Sequence, residues 1–342
     1  MSYSFKEILQ KITLGHDLSS SQAVYALECI MTGEVSSEEI ASFLTAMKMK
    51  GETVQELSSF VQVMRSKSLK VETDVTGAVD IVGTGGDKSG TFNISTITAF
   101  VTAAAGVPVI KHGNRSASSK CGSADVLEIL GANIELHPDQ VAQVFERVGI
   151  AFMYAPMFHP AMKYVMPARK AIGFRTFFNI LGPLTNPAGV RNYVIGAYNK
   201  DVAHQMAQIL ATLDTQFAYT FSSEDGLDEI SLCNPTTFFE VKEQLCSQQR
   251  TFKPEELGLN RVEMAELLGG DPSVNARIFT DILANKATAA QTNMVVLNAA
   301  FAIHAVTDIQ NLQEAKTLAE EAIQSGAALT KLNEFITATQ SC

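Results

Sequence analysis

The sequence predicts an α/β protein in two parts: a small N-terminal helical bundle and a larger α/β domain with a mostly parallel central sheet. In the first 72 residues, apolar side chains recur at helical spacing and no short strand-like apolar run appears. From Val75 onward, short apolar runs alternate with helical patterns, which is typical of a parallel sheet covered by helices. We therefore place the helical domain at residues 1–72 and the α/β domain at residues 73–342.

Four short amphipathic segments form the predicted bundle. The first two run from Phe5 to Leu14 and from Gln22 to Met31. The third follows Ser36-Ser-Glu-Glu39, which has the form of a capping box, and the fourth follows Glu52. Because a bundle this small often buries apolar surface against a partner, we expect a homodimer, with helices near residues 160–178 packing on the bundle.

Strands and helices alternate through the rest of the chain. Strands are predicted at 78–82, 107–110, 149–154, 192–198 and 217–222. Helices are predicted at 93–105, 123–130 and 138–148, followed by an Ala-rich helical region from Val274 to Thr339 that is interrupted at Gly326. Ligands of such sheets bind beyond the carboxyl ends of the strands, so the loops at those ends are the candidate sites.

Composition argues against several classes of function. Of the 342 residues, 26 are Lys or Arg and 36 are Asp or Glu, and the resulting net charge of −10 disfavours general nucleic-acid binding. There is no uninterrupted apolar run of the roughly 18 residues that a membrane span needs, and the first residues lack a secretory-signal pattern. The five cysteines are scattered without a C-x-x-C pair, which disfavours disulfides and zinc. We expect a cytoplasmic protein.

The first chemical motif is a glycine-rich segment between a predicted strand and a predicted helix. It reads Gly83-Thr-Gly-Gly-Asp-Lys-Ser-Gly-Thr91, and we call residues 83–91 the glycine loop. Glycines let backbone amides approach a phosphate closely, and the helix that follows adds partial positive charge. The segment matches neither the Walker pattern nor G-x-G-x-x-G. Asp87 favours an additional contact with a ribose hydroxyl or a metal ion.

The second motif follows the next predicted strand and should open at the same edge of the sheet. It reads Lys111-His-Gly-Asn-Arg-Ser-Ala-Ser-Ser-Lys-Cys-Gly-Ser123, and we call residues 111–123 the cationic segment. Three cations and four serines within 13 residues offer many donors to an anion, in a chain that is acidic as a whole. The glycines leave the segment free to close over a ligand.

These residues, with two later motifs, resemble the anthranilate phosphoribosyltransferases, which act in tryptophan biosynthesis and share the nucleoside phosphorylase-like phosphoribosyltransferase fold. The first matches are Gly83-Thr-Gly-Gly-Asp87 and Lys111-His-Gly-Asn-Arg-Ser116. The later ones are Arg175-Thr-Phe-Phe-Asn-Ile-Leu-Gly-Pro-Leu-Thr-Asn-Pro187 and Asp225-Gly-Leu-Asp-Glu229. The resemblance covers essentially the whole chain, and four motifs in order make it specific.

The resemblance implies a site for phosphoribosyl pyrophosphate (PRPP) formed by the glycine loop and the cationic segment. Residues on the first side would be Gly83, Gly86, Asp87, Thr91, Asn93, Ile94, Ser95 and Thr96. Residues on the second side would be Lys111, His112, Gly113, Asn114, Arg115, Ser116, Ala117, Ser118, Ser119 and Ser123. A pyrophosphate leaving group needs amides, cations and metal where negative charge develops, which agrees with these residue types.

The resemblance also implies a Mg²⁺ ion held by Ser95, Asp228 and Glu229, with Lys111, Asp228 and Glu229 as the catalytic residues. Magnesium prefers a few carboxylates together with waters and substrate phosphates. Adjacent carboxylates on a straight strand point to opposite faces, so both can serve one metal cluster only at a bend, which Gly226 would allow.

For the acceptor, anthranilate, the resemblance points to Gly83, Asn114 and Arg169. An arginine binds a carboxylate as a two-pronged fork. His112 and His159 are further candidates for lining the acceptor path.

Other functions stay open at this point. A pyrimidine nucleoside phosphorylase would have a similar fold but a different sequence at residues 111–115. A non-catalytic nucleic-acid-binding relative is disfavoured by the net charge of −10 and by the acidic pair. A phosphoribosyltransferase for another aromatic amine is a third alternative, and an amidotransferase partner is possible but not indicated.

Overall fold

The predicted two-part α/β architecture is confirmed by a computed structural model, which describes residues 3–87, 89–116, 120–307, 309 and 311–342. Ala117, Ser118 and Ser119 of the predicted PRPP site lie outside the described residues. Among the described residues, no helix combines the length and apolar character that crossing a membrane requires.

The N-terminal bundle consists of four helices, each begun by a capping box. Its helices are α1 (Phe5–Thr13), α2 (Ser20–Thr32), α3 (Ser37–Lys50) and α4 (Val54–Lys67). The N-cap residues are Ser4, Ser19, Ser36 and Thr53, and each side chain accepts a hydrogen bond from the backbone amide three residues on. These caps end each connecting loop and start the next helix in a defined direction.

The α/β domain alternates strands and helices as the apolar runs predict. Its strands are β1 (Val79–Gly83), β2 (Val109–Gly113), β3 (Ile150–Tyr154), β4 (Asn192–Gly196), β5 (Phe217–Ser223), β6 (Thr236–Lys242), β7 (Leu245–Cys246) and β8 (Arg250–Phe252). Its helices are α5 (Ile94–Ala104), α6 (Ser123–Ile129), α7 (Pro138–Val148), α8 (Ala155–Phe158), α9 (Met162–Ile172), α10 (Phe178–Leu181), α11 (Lys200–Ala211), α12 (Pro272–Leu283), α13 (Ala289–His304), α14 (Leu312–Gln324) and α15 (Ala327–Gln340).

One sheet runs through this domain in the strand order β3-β2-β1-β4-β5-β6-β7, with β8 beside β6. The first five strands of that order are parallel, and β6 joins β5 in antiparallel pairing. The register aligns the strand ends, with Gly83 opposite Gly196 and Gly196 opposite Phe221. Because the parallel strands end together, the segments that follow β1, β4 and β5 emerge at one edge.

The α9 region connects the domain to the bundle. Helix α9 packs against α2 and α3, and Tyr164 lies so close to Gly33 that a Cβ there would be 2.6 Å from its ring. Phe177 is 1% exposed and stacks on Phe60, with ring centroids 4.7 Å apart. The chain near Phe177 therefore shares an aromatic core with the bundle.

The structure differs from the sequence prediction in several places, one of which is helix α11 between β4 and β5, which is not among the predicted helices. Strand β2 continues to Gly113 because Lys111 and His112 still pair with β3, so these two residues lie in the strand and not in a loop. The sequence does not predict the antiparallel strands β6, β7 and β8. The chain turns from β6 into β7 at Glu243 and Gln244, which both have positive φ. The C-terminal helical region breaks at Gly326 as predicted and also on either side of α13, where no glycine or proline marks the end.

Candidate functional site

The glycine loop and the segment after β5 are joined by two hydrogen bonds from backbone amides to carboxylates. The Gly85 amide donates to Oδ2 of Asp228 over 2.6 Å. The Ser95 amide, in the first turn of α5, donates to Oε1 of Glu229 over 3.0 Å. The second bond places the Glu229 carboxylate at the positively polarised start of α5, where negative charge is stabilised, and the first holds the Asp228 carboxylate against the glycine loop.

Two glycines make this approach possible. A Cβ on Gly83 would collide with the Asp228 carboxylate, and one on Gly196 would collide with the Asp228 backbone. The predicted bend is also present, because Gly226 has a φ of +86° between β5 and the acidic pair. Asp228 and Glu229 lie outside any strand, and so both carboxylates can point toward the same loop.

Lys111 lies beneath this cluster. Its side chain is 4% exposed, and its ammonium donates to the Ile81 carbonyl and lies 3.4 Å from Oγ of Ser95. Burial lowers the pKa of Lys111, and the negative charges of Asp80, Glu229 and Asp228 oppose that shift. The lysine thus supplies positive charge next to Ser95 and the acidic pair.

The acidic pair is electrostatically unfavourable when no cation is bound. Burial, together with the neighbouring charge of Asp87, raises the pKa of Asp228 to about 7. Burial and the charge of Asp228 raise the pKa of Glu229 well above its usual range. A divalent cation between the two carboxylates would remove this repulsion and favour their ionised forms.

The donor set suits magnesium better than a transition metal. Among the described residues, no group of three or more His, Cys, Asp or Glu side chains could hold a metal ion by itself. Asp228, Glu229 and the Ser95 hydroxyl offer oxygen donors only, and each carboxylate uses just one oxygen on a backbone amide. Magnesium commonly takes one or two carboxylates and completes its shell with waters and substrate phosphates.

The described part of the glycine loop is shaped by hydrogen bonds between its own side chains and by glycines with positive φ. Oδ2 of Asp87 accepts a hydrogen bond from the Ser89 hydroxyl over 2.6 Å, and that hydroxyl lies 3.2 Å from Oγ1 of Thr91. Gly85 and Gly86 have φ values of +69° and +75°. The side chains of Ile94 and Thr96 are each 1% exposed, so any contact with a ligand there would use their backbone.

The cationic segment divides into a buried part and an acid-paired part. Arg115 contacts Asp125 and Glu128 over 3.0 and 2.8 Å, so its guanidinium is neutralised by carboxylates of α6 in this state. Ser116 donates its amide to Asp125 over 3.2 Å. Ser123 donates its hydroxyl to the Asn114 carbonyl over 3.1 Å, which ties the start of the segment to its end.

Arg169 is a half-buried cation on α9. Its guanidinium lies 5.6 Å from the ring centre of Phe178, and burial lowers its pKa. Within the described part of the chain it makes no ion pair. An arginine held against an aromatic ring with its donors free is suited to a planar carboxylate.

His112 and His159 form a buried pair with ring centroids 5.0 Å apart. Among the described residues, Nε2 of His112 and both ring nitrogens of His159 have no hydrogen-bond partner of normal geometry. Burial lowers the pKa of His112 to about 3 and that of His159 to about 4. Both imidazoles are therefore neutral at physiological pH.

Several buried polar residues that support the site were missed in the sequence. Asp80 is fully buried on β1 and accepts hydrogen bonds from the His112 amide and from the Asn186 side chain, over 3.1 and 2.8 Å. Asn298 of α13 clamps the backbone of Ile230, next to Glu229, with bonds of 3.0 and 2.9 Å. The available signal was a lone polar residue inside an apolar run, which a buried hydrogen bond explains.

Sequence profiles of a glycosyl transferase family match both parts of the chain. The profile of its helical bundle domain matches residues 6–68, and that of its a/b domain matches residues 75–329. Anthranilate phosphoribosyltransferase of Persephonella marina is 46% identical over 334 residues, which are 96% of this chain and 98% of that protein.

Solved structures agree with the sequence comparison. Anthranilate phosphoribosyltransferase of Thermus thermophilus superposes with a TM-score of 0.90 and 36% identity, over 97% of this chain and 99% of that one. The Saccharomyces cerevisiae enzyme, solved in complex with PRPP and Mg, also gives a TM-score of 0.90, with 27% identity over 99% of this chain and 98% of that one.

The histidine pair makes a testable prediction about pH. Unfolded histidines take up a proton near pH 6.5, whereas His112 and His159 stay neutral in the folded protein until about pH 3 and 4. The unfolded state therefore binds more protons between pH 6.5 and 4, and stability falls as the pH falls through this window. Each histidine should cost about 2 kcal/mol of unfolding free energy at pH 5 relative to pH 7.5.

Urea titrations at pH 7.5 and pH 5.0 measure this difference in wild type and in a His112→Gln, His159→Gln double variant. The double variant should lose less stability on acidification than wild type. His137→Gln, at an exposed histidine, is the matched control and should behave as wild type. An equal loss in the double variant and wild type would show that these imidazoles are not buried neutral.

Proposed function

The chain belongs to the anthranilate phosphoribosyltransferases, and on that premise we propose which of its residues carry out each part of the reaction. The enzyme transfers the 5-phosphoribosyl group of PRPP to the amine of anthranilate, releasing pyrophosphate, in the second step of tryptophan biosynthesis. The observation that carries the residue assignment is the acidic pair held against the glycine loop by the Gly85 and Ser95 amides.

The Ser95 hydroxyl and the carboxylates of Asp228 and Glu229 would hold Mg²⁺. When bound, this ion supplies positive charge that neutralises the pyrophosphate and so helps it to leave. The yeast relative has been solved with PRPP and Mg, which supports magnesium use in this chain. Asp228 and Glu229 stay ionised in that state because the cation offsets their mutual repulsion.

The glycine loop and the cationic segment would bind PRPP between them. On the glycine-loop side the contacts come from Gly83, Gly86, Asp87, Thr91, Asn93 and the start of α5, and on the other side from residues 111–119 and Ser123. Lys111 adds fixed positive charge beside Ser95, so negative charge that develops on the leaving group is stabilised without rearrangement of the protein. Arg115 would leave its acidic partners for the substrate only if the segment closes.

Anthranilate would bind with its carboxylate on Arg169 and its ring near Asn114 and Gly83. Its aromatic amine is only weakly basic and is already uncharged near neutrality, so no strong general base is required. The amine nitrogen forms a bond to C1 of the ribose on the face opposite pyrophosphate while the C1–oxygen bond breaks, which inverts that carbon, and the nitrogen then loses one proton to water or to the released pyrophosphate. We propose that the protein contributes chiefly positioning and charge stabilisation.

We further propose that residues 1–72 form the dimerisation domain of a cytoplasmic homodimer. Leu14 and Met49 on the bundle are 67% and 84% exposed, so their apolar side chains are available to a partner. Among the described residues, no disulfide joins the five cysteines, as a reducing compartment favours. Light scattering that returned the mass of a single chain at micromolar concentration would contradict the dimer.

Catalysis should depend on the acidic pair, Asp228 and Glu229. In an assay that follows the loss of anthranilate fluorescence, turnover should require both Mg²⁺ and PRPP, and the chain has no Trp to add background. The Asp228→Asn, Glu229→Gln double variant should lose at least about a hundredfold in kcat because its amides bind the cation poorly. The amide oxygens still accept from Gly85 and Ser95, so the fold should persist.

Thermal melting without Mg²⁺ at pH 8 separates a catalytic defect from unfolding. Both carboxyls have raised pKa values in the folded protein, so at pH 8 they reduce the free energy of unfolding and the double variant should melt no lower than wild type. Glu224→Gln, an exposed acid of the same turn, is the control and should retain activity. Near-normal turnover of the double variant would refute the magnesium assignment.

Binding of anthranilate should depend on Arg169. Removing it in Arg169→Ala should raise the KM for anthranilate about tenfold or more, because a charge-assisted hydrogen bond to the carboxylate is lost. The KM for PRPP should change less than about twofold. Lys170→Ala removes an equal charge from the adjacent exposed position and should leave both constants unchanged. The same anthranilate KM in Arg169→Ala and wild type would contradict this role.

A further inference from the structure

A C-terminal segment with no role in the predicted site closes against the glycine loop. This segment, Leu267-Leu-Gly-Gly-Asp-Pro-Ser-Val-Asn275, leads into α12. The Phe92 amide donates to the Leu267 carbonyl over 3.2 Å, and the Gly269 amide donates to the Gly90 carbonyl over 2.9 Å. Between them, Thr91 and Leu268 form an antiparallel bridge. The end of the glycine loop is therefore paired with a segment about 175 residues further along the chain.

The contact is too close to admit a side chain at Gly269. A Cβ there would lie 2.8 Å from the backbone nitrogen of Phe92 and 2.5 Å from Oδ1 of Asn275. Real Cβ atoms do not approach backbone atoms this closely, so a glycine is required for the two segments to meet. Gly269 is thus explained by packing against the end of the glycine loop, whereas the close contacts at Gly270 are with Val274 of α12.

Asn275 is the polar residue at the centre of this contact. It is 3% exposed, and its Oδ1 accepts a hydrogen bond from the Gly270 amide over 2.7 Å. Its Nδ2 donates to Oδ1 of Asn93 over 2.9 Å. Asn93 in turn donates its Nδ2 to the Cys121 carbonyl over 3.2 Å. A chain of hydrogen bonds therefore runs from α12 through Asn93 to the end of the cationic segment.

This chain fixes the orientation of the Asn93 amide. Asn93 is the N-cap residue of α5, yet its side chain makes no capping hydrogen bond, although asparagine favours that bond at this position. The donation from Asn275 holds Oδ1 toward α12, where Oδ1 also accepts a hydrogen bond from the Cys121 thiol over 3.4 Å, and Nδ2 is directed at the Cys121 carbonyl. If the Asn93 side-chain amide were reversed, its Oδ1 would face the Cys121 carbonyl oxygen, and two acceptors facing each other are unfavourable.

We propose that Asn275 is a positioning residue for PRPP, acting through Asn93 to hold the glycine loop and the cationic segment in register with each other. This inference rests on the proposed function, because it takes Asn93 as a contact of PRPP. Asn275 does not itself touch the substrate in this account. Its loss lets the Asn93 amide rotate and separates the two segments that bind PRPP.

Steady-state kinetics of two variants test the proposal. Asn275→Ala removes both bonds, whereas Asn275→Asp keeps the acceptor for the Gly270 amide and replaces the donor to Asn93 with an oxygen. Both should raise the KM for PRPP by about tenfold, the effect expected for loss of one buried hydrogen bond, with the KM for anthranilate changed less than about twofold. If Asn275→Ala does not fold, Asn275→Asp alone decides the outcome.

Asn192→Ala is the matched control. Asn192 is 2% exposed and donates one hydrogen bond to the Ala78 carbonyl over 3.1 Å, at the opposite end of β4 from the site. It should lower the melting temperature and leave the KM for PRPP unchanged. A merely structural role for Asn275 would give the same pattern as this control and would overturn the proposal.

A double variant shows whether Asn275 acts through Asn93. In an Asn93→Ala protein, adding Asn275→Ala should raise the KM for PRPP less than about twofold further, because residues in one network are not additive. A further tenfold rise would overturn the route through Asn93. Wild-type protein that turned over no PRPP would overturn the proposed function itself, whereas active wild type with unaffected Asn275 variants would overturn only this inference.

Discussion

The arrangement of the site depends on two hydrogen bonds between the backbone of one βα connection and side chains about 140 residues away. The amides of Gly85 and Ser95 each bind one carboxylate of the Asp228–Glu229 pair. Parallel strands with aligned ends bring the two segments to one edge, and a glycine on β1 leaves room for the Asp228 carboxylate. Lys111 adds charge at the place where the two segments meet, and Asn298 holds the backbone next to Glu229.

At that meeting point the ionised carboxylates of Asp228 and Glu229 are buried close together, which is electrostatically unfavourable without a bound cation. Burial and neighbouring negative charge, from Asp87 for Asp228 and from Asp228 for Glu229, raise the pKa values of both carboxylates, while burial lowers that of Lys111 beneath them. The site is therefore organised for a cation and an anionic substrate, and the cost of holding like charges together is offset when they bind. The surrounding asparagines, Asn298 beside Glu229 and Asn275 beside the glycine loop, keep the backbone from relaxing away.

Motif residues and the alternation of strands and helices were predictable because they follow from local pattern, whereas the strand order and the supporting contacts were not. The strand before the glycine loop and the capping box at Ser36 were both predicted, and both are present. The pairing of Leu267 with Phe92 joins residues far apart in sequence, and no periodicity encodes such a contact. Arg115 also shows what residue type alone does not predict, since an arginine here indicates anion binding but its partners in the structure are the carboxylates of Asp125 and Glu128 on α6.

The most direct test of the account is a crystal structure with PRPP and Mn²⁺, whose anomalous scattering locates the ion in place of Mg²⁺. The account predicts an ion at roughly 2.0–2.3 Å from the Ser95 hydroxyl or from a carboxylate oxygen of Asp228 or Glu229, with pyrophosphate oxygens completing its shell. It also predicts pyrophosphate against the glycine loop. An ion bound by PRPP alone, with the acidic pair making no contact to it directly or through water, would contradict the account.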